Sequence, residues 1–346
     1  MKNFKIKQQN IPTYISIGLF ILLFATGSLL FNGFFSVTTI INLIIDNSFL
    51  MIIAFGLTMV IISGGVDLSV GSIIALTCVM EAALLQKGWN PIVVILLALV
   101  VGTFIGLFQG FLITYCGFQP FIATLSGSFM ARGTCYLITT DTISIADPLF
   151  LKLSLFRLKL PGDITITVGM IITFLVFFFY LFLLKYTKFG RDVYALGGNE
   201  QSSKLMGLPT NRTKMLVYTL SGTTAAIAGF VFSLYMLSGY GQLADGMHMD
   251  GIAAAVIGGT LMTGGVGSVF GTMFGVWIVG IIQTIITFQG SLSSWWTRIF
   301  IGALLCLFIV IQRVLLMRQE SKKTMRSVEI LPDSDETEDQ HILSTD

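Results

Sequence analysis

Apolar positions run through this chain in blocks of membrane length, separated by short polar or glycine-rich breaks. No charged residue occurs between Lys7 and Asp46, between Lys87 and Arg132, between Lys214 and Asp245, or between Asp250 and Arg298. Each interval exceeds the roughly 20 residues that carry a helix across a bilayer. Hydrocarbon leaves no partner for a free backbone N–H or C=O, so these blocks predict helices. The alternating segments of a membrane β-barrel are absent. Window hydropathy places about ten spans, over 14–31, 47–63, 70–86, 91–115, 121–138, 164–185, 214–238, 251–262, 266–288 and 295–311. The eighth is short enough to be re-entrant. The first reads as a retained helix rather than a cleaved leader. The expected fold is all-α, a polytopic membrane helical bundle over residues 13–313 with an amino-terminal segment 1–12 and a tail 314–346.

Two breaks resemble each other. Ile62-Ser63-Gly64-Gly65-Val66-Asp67-Leu68-Ser69-Val70-Gly71 carries one carboxylate, and a looser version returns as Ile257-Gly258-Gly259-Thr260-Leu261-Met262-Thr263-Gly264-Gly265-Val266-Gly267-Ser268. The echo predicts an internal duplication of interrupted helices. Gly64, Gly65, Asp67, Gly264 and Gly265 are the candidate hinge positions. Gly267, Gly271 and Gly275 recur every four residues, the spacing that lets helix backbones approach.

Composition agrees with the membrane reading: 54% of residues are hydrophobic and only 11% charged, against about a quarter charged in soluble domains. Basic residues give orientation. Lys2, Lys5 and Lys7 precede the first block, Lys185, Lys188, Arg191, Lys204, Arg212 and Lys214 fill the loop 186–213, and Arg313, Arg318, Lys322, Lys323 and Arg326 follow the last block. With an even number of spans on either side of the loop, all three regions fall on one face. That face is expected to be cytoplasmic, with both termini on it. The acidic end, with Asp333, Asp335, Glu336, Glu338 and Asp339, reads as a disordered tail.

Chemistry is sparse. Cys78, Cys116, Cys135 and Cys306 form no Cys-x-x-Cys pair, and His248 and His341 are far apart, so no metal or haem site is expected. There is no phosphate-binding loop, and no catalytic, cofactor-binding or nucleic-acid-binding residues are assigned. Transport remains: a channel, a secondary carrier, or the membrane half of a pump whose motor is another chain. Ion-coupled carriers keep ionisable groups near the midplane. Here Asp46, Asp67 and Glu81 lie at or near span ends and only Arg132 sits well within one, a thin set for an ion relay. The loop 186–213 contains a predicted short helix: Asn199 as N-cap, Glu200 to Met206 as its body, Gly207 as its C-cap and Pro209 beyond. An external motor could push on such a helix, and a proline at Glu200 is the expected way to break it.

At this point the motifs Gly64-Gly65-Val66-Asp67-Leu68-Ser69-Val70-Gly71, Pro120-Phe121-Ile122-Ala123-Thr124-Leu125 with Arg132-Gly133, Gly190-Arg191 through Gly198-Asn199 and Met206-Gly207, and Ile257-Gly258-Gly259-Thr260 with Gly264-Gly265-Val266-Gly267-Ser268 carry a family likeness. The chain resembles the permease subunits of bacterial ATP-binding-cassette importers for monosaccharides, the ribose/xylose/galactose type. Ile282-Gln283-Thr284 and Ser291 to Thr297 bring it closest to the second permease of the galactofuranose importer. The resemblance implies a multi-pass protein of the bacterial cytoplasmic membrane, surrounded by lipid. It also implies a cytoplasmic ATPase subunit, a second permease chain (a paralogue, otherwise a second copy) and a periplasmic or lipid-anchored sugar-binding protein. It assigns the ATPase-coupling role to Asn199, Glu200, Lys204, Leu205, Met206 and Gly207. Asn47 and Gln283 are candidate sugar-path residues, whereas Trp295 and Trp296 read as an interfacial aromatic belt.

Overall fold

The computed structural model describes residues 11–161, 164–291, 293 and 295–328. The first half of the bundle is α1 (Ile11–Leu30), α2 (Val37–Asp46), α3 (Ser48–Ile62), α4 (Val70–Gln86), α5 (Pro91–Thr114) and α6 (Pro120–Ile138). A connection follows, built from β1 (Ile143–Ser144), α7 (Pro148–Leu155), β2 (Leu158–Leu160) and β3 (Ile164–Ile166). The second half is α8 (Val168–Tyr186), α9 (Lys188–Gly198), α10 (Glu200–Leu205), α11 (Thr210–Met236), β4 (Ser238–Gly239), α12 (Met247–Ile257), α13 (Val269–Gln289) and α14 (Trp295–Val328). Local signals set several starts. Pro91, Pro120 and Pro148 stand in first turns, where a missing N–H costs nothing. Asn90 and Asp147 cap by accepting from the N–H of Ile92 and of Leu149 and Phe150.

The all-α expectation needs an amendment. The short strands form two antiparallel pairs, β1 with β4 and β2 with β3, in the connections rather than the bundle. Ile145 N–H adds a bond to the Leu237 carbonyl at 2.8 Å, extending the first pair.

Six described helices are long and apolar enough to cross a membrane, or seven if α2 and α3, bent by 57°, form one span. The expected count of about ten is not reached on that measure, for physical reasons. α4 has 17 residues and α12 only 11, and α6 is diluted by Arg132 and by several Ser, Thr and Gly residues. The tail expected to be disordered from 314 is helical as far as Val328, where no Gly or Pro interrupts good helix formers. Residues 329–346, like 1–10, lie outside the described residues.

α11 organises the packing. At 1.5 Å per residue its 27 residues extend about 40 Å. On one side Gly102, Gly106 and Gly110 of α5 lie against Tyr218, Gly222, Ala226 and Met215 of α11, and a Cβ at Gly222 would overlap the Gly102 carbonyl. This is small-residue helix packing, which replaces hydrophobic drive where the solvent is itself apolar. On other sides Thr224 meets Gly56 of α3 and bonds Tyr180 Oη of α8 at 2.6 Å, and Gly229 packs on Thr77 of α4.

The same helix serves as a depth ruler. Asp67, just before α4, bonds Ser221, about 16 Å along α11 from Thr210, while Gly229, opposite Thr77, is about 28 Å along. α4 therefore begins well inside the bundle. After α11 the chain turns back along α4: Gly239 packs on the Cys78 carbonyl, and Ala244 O would stand 2.8 Å from a Cβ on Gly71. Only then does α12 form. The expected eighth span is thus a half-length helix preceded by an unwound segment.

The four-residue glycine spacing in α13 does what its pattern suggested. Gly271 and Gly275 face the carbonyls of Gly258 and Ala254 so closely that a Cβ on either would overlap them. Gly275→Ala is expected to destabilise the purified subunit by about 1–3 kcal/mol through overpacking, read as a lower thermal midpoint in detergent. Gly18→Ala, with open space around it inside α1, should instead raise the midpoint slightly, since alanine favours a helix interior over glycine.

Candidate functional site

The helix predicted between Asn199 and Gly207 is α10. Asn199 adopts an extended backbone and its Oδ1 accepts from Ser202 N–H at 2.8 Å. At the other end Leu208 N–H bonds Ser203 O at 3.1 Å and Gly207 N–H bonds Lys204 O at 3.0 Å, with Gly207 at φ +75°. This is a Schellman end, and the left-handed residue it needs is glycine. Glu200 is braced twice, by Lys204 on its own helix and by Lys214 on α11, each at 2.7 Å. Ser203 is buried, whereas Leu205 is 90% and Met206 68% exposed, leaving an apolar tip at the helix end. One expectation is corrected. Glu200 is the first residue of α10, a position where proline is favoured rather than disruptive. Ser203, whose N–H bonds Asn199 O at 3.0 Å, is the position where proline breaks the helix.

Immediately before α10 the glycine end of α9 meets both glycine breaks. The Gly265 N–H donates to the Ile62 carbonyl at 2.8 Å. Gly264 lies against Gly64 and the Gly197 carbonyl, and a Cβ on Gly197 would overlap Ile62 O. Tyr194 Oη of α9 donates to Gly267 O at 2.8 Å. The two breaks read from the sequence as an echo are thus in contact, with the end of α9 wedged between them.

The echo from Ile62 and from Ile257 has a counterpart in backbone geometry. Gly64 at φ +83° ends α3, with Gly64 and Gly65 N–H bonded to Ile61 O and Val60 O. The same geometry ends α12 at Gly259, φ +97°, with Gly259 and Thr260 N–H bonded to Val256 O and Ala255 O. By role, Gly64 corresponds to Gly259. Gly264 and Gly265, at φ +85° and +74°, form a further turn that folds back onto the first break.

Asp67 is fully buried. Its Oδ1 accepts from Ser69 N–H at 2.9 Å and from Ser69 Oγ at 2.6 Å, and its Oδ2 accepts from Ser221 Oγ of α11 at 2.6 Å. Ser69 Oγ also lies 3.1 Å from the Gln109 side-chain amide of α5. Asp67 is thus a latch between the break and two neighbouring helices. Ser221, Gln109 and Lys214 complete these contacts from 40 to 154 residues away in sequence for the first two and 14 for the third. No local pattern marks them as partners.

Asn47 and Gln283 come together elsewhere. They line a cleft of about 330 Å³ with Asn42, Asp46, Thr284 and Thr287 at the α2–α3 bend. Asn47 Nδ2 donates to Leu43 O at 2.8 Å. Amide, hydroxyl and carboxyl groups stand there beside the apolar Leu43 and Phe288. Trp295 and Trp296 are exposed, which suits a belt.

Comparison with known proteins accords with this arrangement. Residues 39–309 match the family described as branched-chain amino acid transport system / permease component. The chain is 45% identical to the inner membrane ABC transporter permease protein YjfF of Escherichia coli, covering 92% of this chain and 96% of that one. It is 37% identical to the fructose import permease protein FruG of Bifidobacterium longum, over 93% and 96% of the two chains. Identity to the ribose import permease protein RbsC of Bacillus subtilis is 34%, over 86% and 91%. No solved structure gives a significant match.

Two outcomes are expected from the site. Asp67→Ala leaves buried hydroxyls without their acceptor and should cost about 3 kcal/mol, measured by thermal unfolding in detergent. Hydrogen bonds from Lys204 and from Lys214 hold the Glu200 carboxyl below its usual range. A depressed folded value means that its stabilisation is complete above the unfolded value of about 4.3 and is lost as pH falls through the folded one. A spin label at Gln201→Cys should therefore keep constant mobility from about pH 8 to about pH 5 and loosen only below about pH 4. Loosening near neutral pH would contradict the brace.

Proposed function

Because the chain belongs to the family of branched-chain amino acid transport system permease components, we propose that it is the membrane-spanning subunit of an importer for a monosaccharide, with galactofuranose or a related sugar as cargo. It is a transport component rather than an enzyme, and hydrolysis of ATP takes place on a partner chain. The observation that carries the reading is α10: a capped, doubly braced helix that presents Leu205 and Met206 outward and follows directly on Gly197 and Gly198, which pack against both broken segments. The relatives named for fructose and ribose import support a monosaccharide cargo. The finer assignment to galactofuranose rests on the sequence resemblance around Gln283 and Trp295.

In this reading the ATPase seats on α10 from the cytoplasm, where both termini also lie. A second permease chain completes the pore, and a binding protein delivers sugar at the opposite end. ATP binding draws the ATPases together and displaces α10. The Glu200–Lys214 pair passes the displacement to α11, and the glycine junction passes it to the ends of α3 and α12. Two arrangements of the bundle then alternate, and both nucleotide and cargo bias the same equilibrium. Gly64, Gly65, Gly264 and Gly265 act as the joints, with Asp67 holding the break in register.

Leu205→Asp alters only an exposed tip, so the subunit should keep its thermal midpoint yet lose co-purification with the ATPase and nucleotide-driven uptake. Ser203→Pro, at about 3 kcal/mol for an interior helix position, should lower uptake about a hundredfold. Normal uptake by both variants at normal assembly would overturn the coupling assignment. Uptake by the chain in liposomes without an ATPase would overturn the importer itself. Preferential uptake of ribose or fructose by the complete importer would overturn only galactofuranose.

A further inference from the structure

The segment between α11 and α12 has four unusual properties together. It is unwound at bundle depth: Ala244 sits beside Gly71, about 20 Å along the axis of α11 and so near its midpoint. It holds both of the non-glycine residues at positive φ among the described residues, Leu237 at +48° and Ala244 at +57°. It is clamped by a cation, since Arg132 of α6 donates through one Nη to the carbonyls of Gly241 at 2.6 Å and Leu243 at 2.7 Å. And its Asp245 side chain is 82% exposed, with the 18%-exposed Arg132 at 3.6 Å, while Arg298 donates to the Asp245 backbone carbonyl at 3.5 Å.

A carboxylate so open at mid-depth cannot face hydrocarbon. Non-helical backbone at that depth is tolerated where it is enclosed by protein or borders water. Here one side is enclosed, with Gly239, Gly241 and Leu243 buried against α4 and α6. The other side presents Gln242 and Asp245 outward. Left-handed backbone at non-glycine residues is a stored strain that commonly marks a working site.

We propose that the unwound segment 237–246, braced by Arg132 and presenting Gln242 and Asp245, lines the water-filled path through which a neutral polyhydroxyl cargo crosses. The inference rests on the permease reading and adds the surface the cargo meets halfway. Asp245 supplies carboxylate oxygens that accept from sugar hydroxyls, and Gln242 supplies both a donor and an acceptor. Arg132 and Arg298 stand beside Asp245 and Asp250, two guanidiniums against two carboxyl groups, and this balance suits an uncharged ligand passing without being trapped.

The test uses the complete importer, with the exposed Cys116 and Cys306 changed to Ser. Asp245→Cys and Gln242→Cys are treated with a membrane-impermeant maleimide, without nucleotide and trapped with ATP and vanadate. The control is Phe104→Cys, exposed on α5 at the same depth between Gly102 and Gly106. Thiols on an aqueous path should react about tenfold faster than the control and change rate about fivefold between the two states, since modification needs a water-accessible thiolate. If both thiols are as inert as the control in both states, or react equally in both, the inference is wrong. Should this occur while the unsubstituted importer still takes up sugar, only the lining is rejected. If the unsubstituted importer takes up no sugar, the permease reading fails first.

Discussion

Backbone that leaves a helix inside a bilayer must find its hydrogen bonds within the protein or along an enclosed aqueous path, because hydrocarbon supplies none. Everything distinctive in this structure answers that constraint. The bundle contains interrupted helices, and each interruption is sealed in a different way. At the junction behind α10 the seal is backbone to backbone, with Gly265 N–H on the Ile62 carbonyl. At the start of α4 it is an anion, Asp67, that gathers a backbone N–H and two hydroxyls. Before α12 it is a cation, Arg132, that gathers two carbonyls. Two of the few charged residues in this apolar chain thus serve interrupted segments, Asp67 from within one and Arg132 by reaching from α6 across to another.

The seals work only because the surrounding helices come very close. Gly222 on Gly102, and Gly271 on Gly258, remove side chains where main chains must touch. Close approach gives dispersion contacts without a hydrophobic driving force, and it leaves little room for continuous deformation. Packed surfaces of this kind favour discrete arrangements over gradual bending. That property suits a protein that is proposed to alternate between two states.

Much of this was legible in the sequence, and the limits have physical causes. α10 could be read almost residue by residue, because caps are local: Asn199, Gly207 and Pro209 act on backbone groups within a few positions. The breaks were visible for the same reason. What could not be read was which break touches which, since Gly64, Gly197 and Gly265 meet only after folding. Set end to end from Ile62 and Ile257, the two breaks put Gly64 opposite Gly259, the helix end that repeats its geometry, but not the fold-back of Gly264 and Gly265 onto the first break. Window hydropathy is blind to such folding as well. It sees an apolar run at 251–262 but not that the preceding residues unwind and reach mid-depth before α12 starts.

The pairing of β1 with β4 has a consequence of its own. Ile143 and Ser144 are joined to Ser238 and Gly239, and Ile145 to Leu237, through main-chain atoms. The cap formed by α7 and the hairpin is therefore stitched to the top of the unwound segment by a seam that no particular side chain supplies. Phe150 anchors the cap inward against Phe230 and Leu234. Outward-facing residues such as Leu155 and Leu158 contribute nothing to the seam. They can diverge while the mechanical link to the interior stays intact, so the outer face and the interior can evolve on separate sets of atoms.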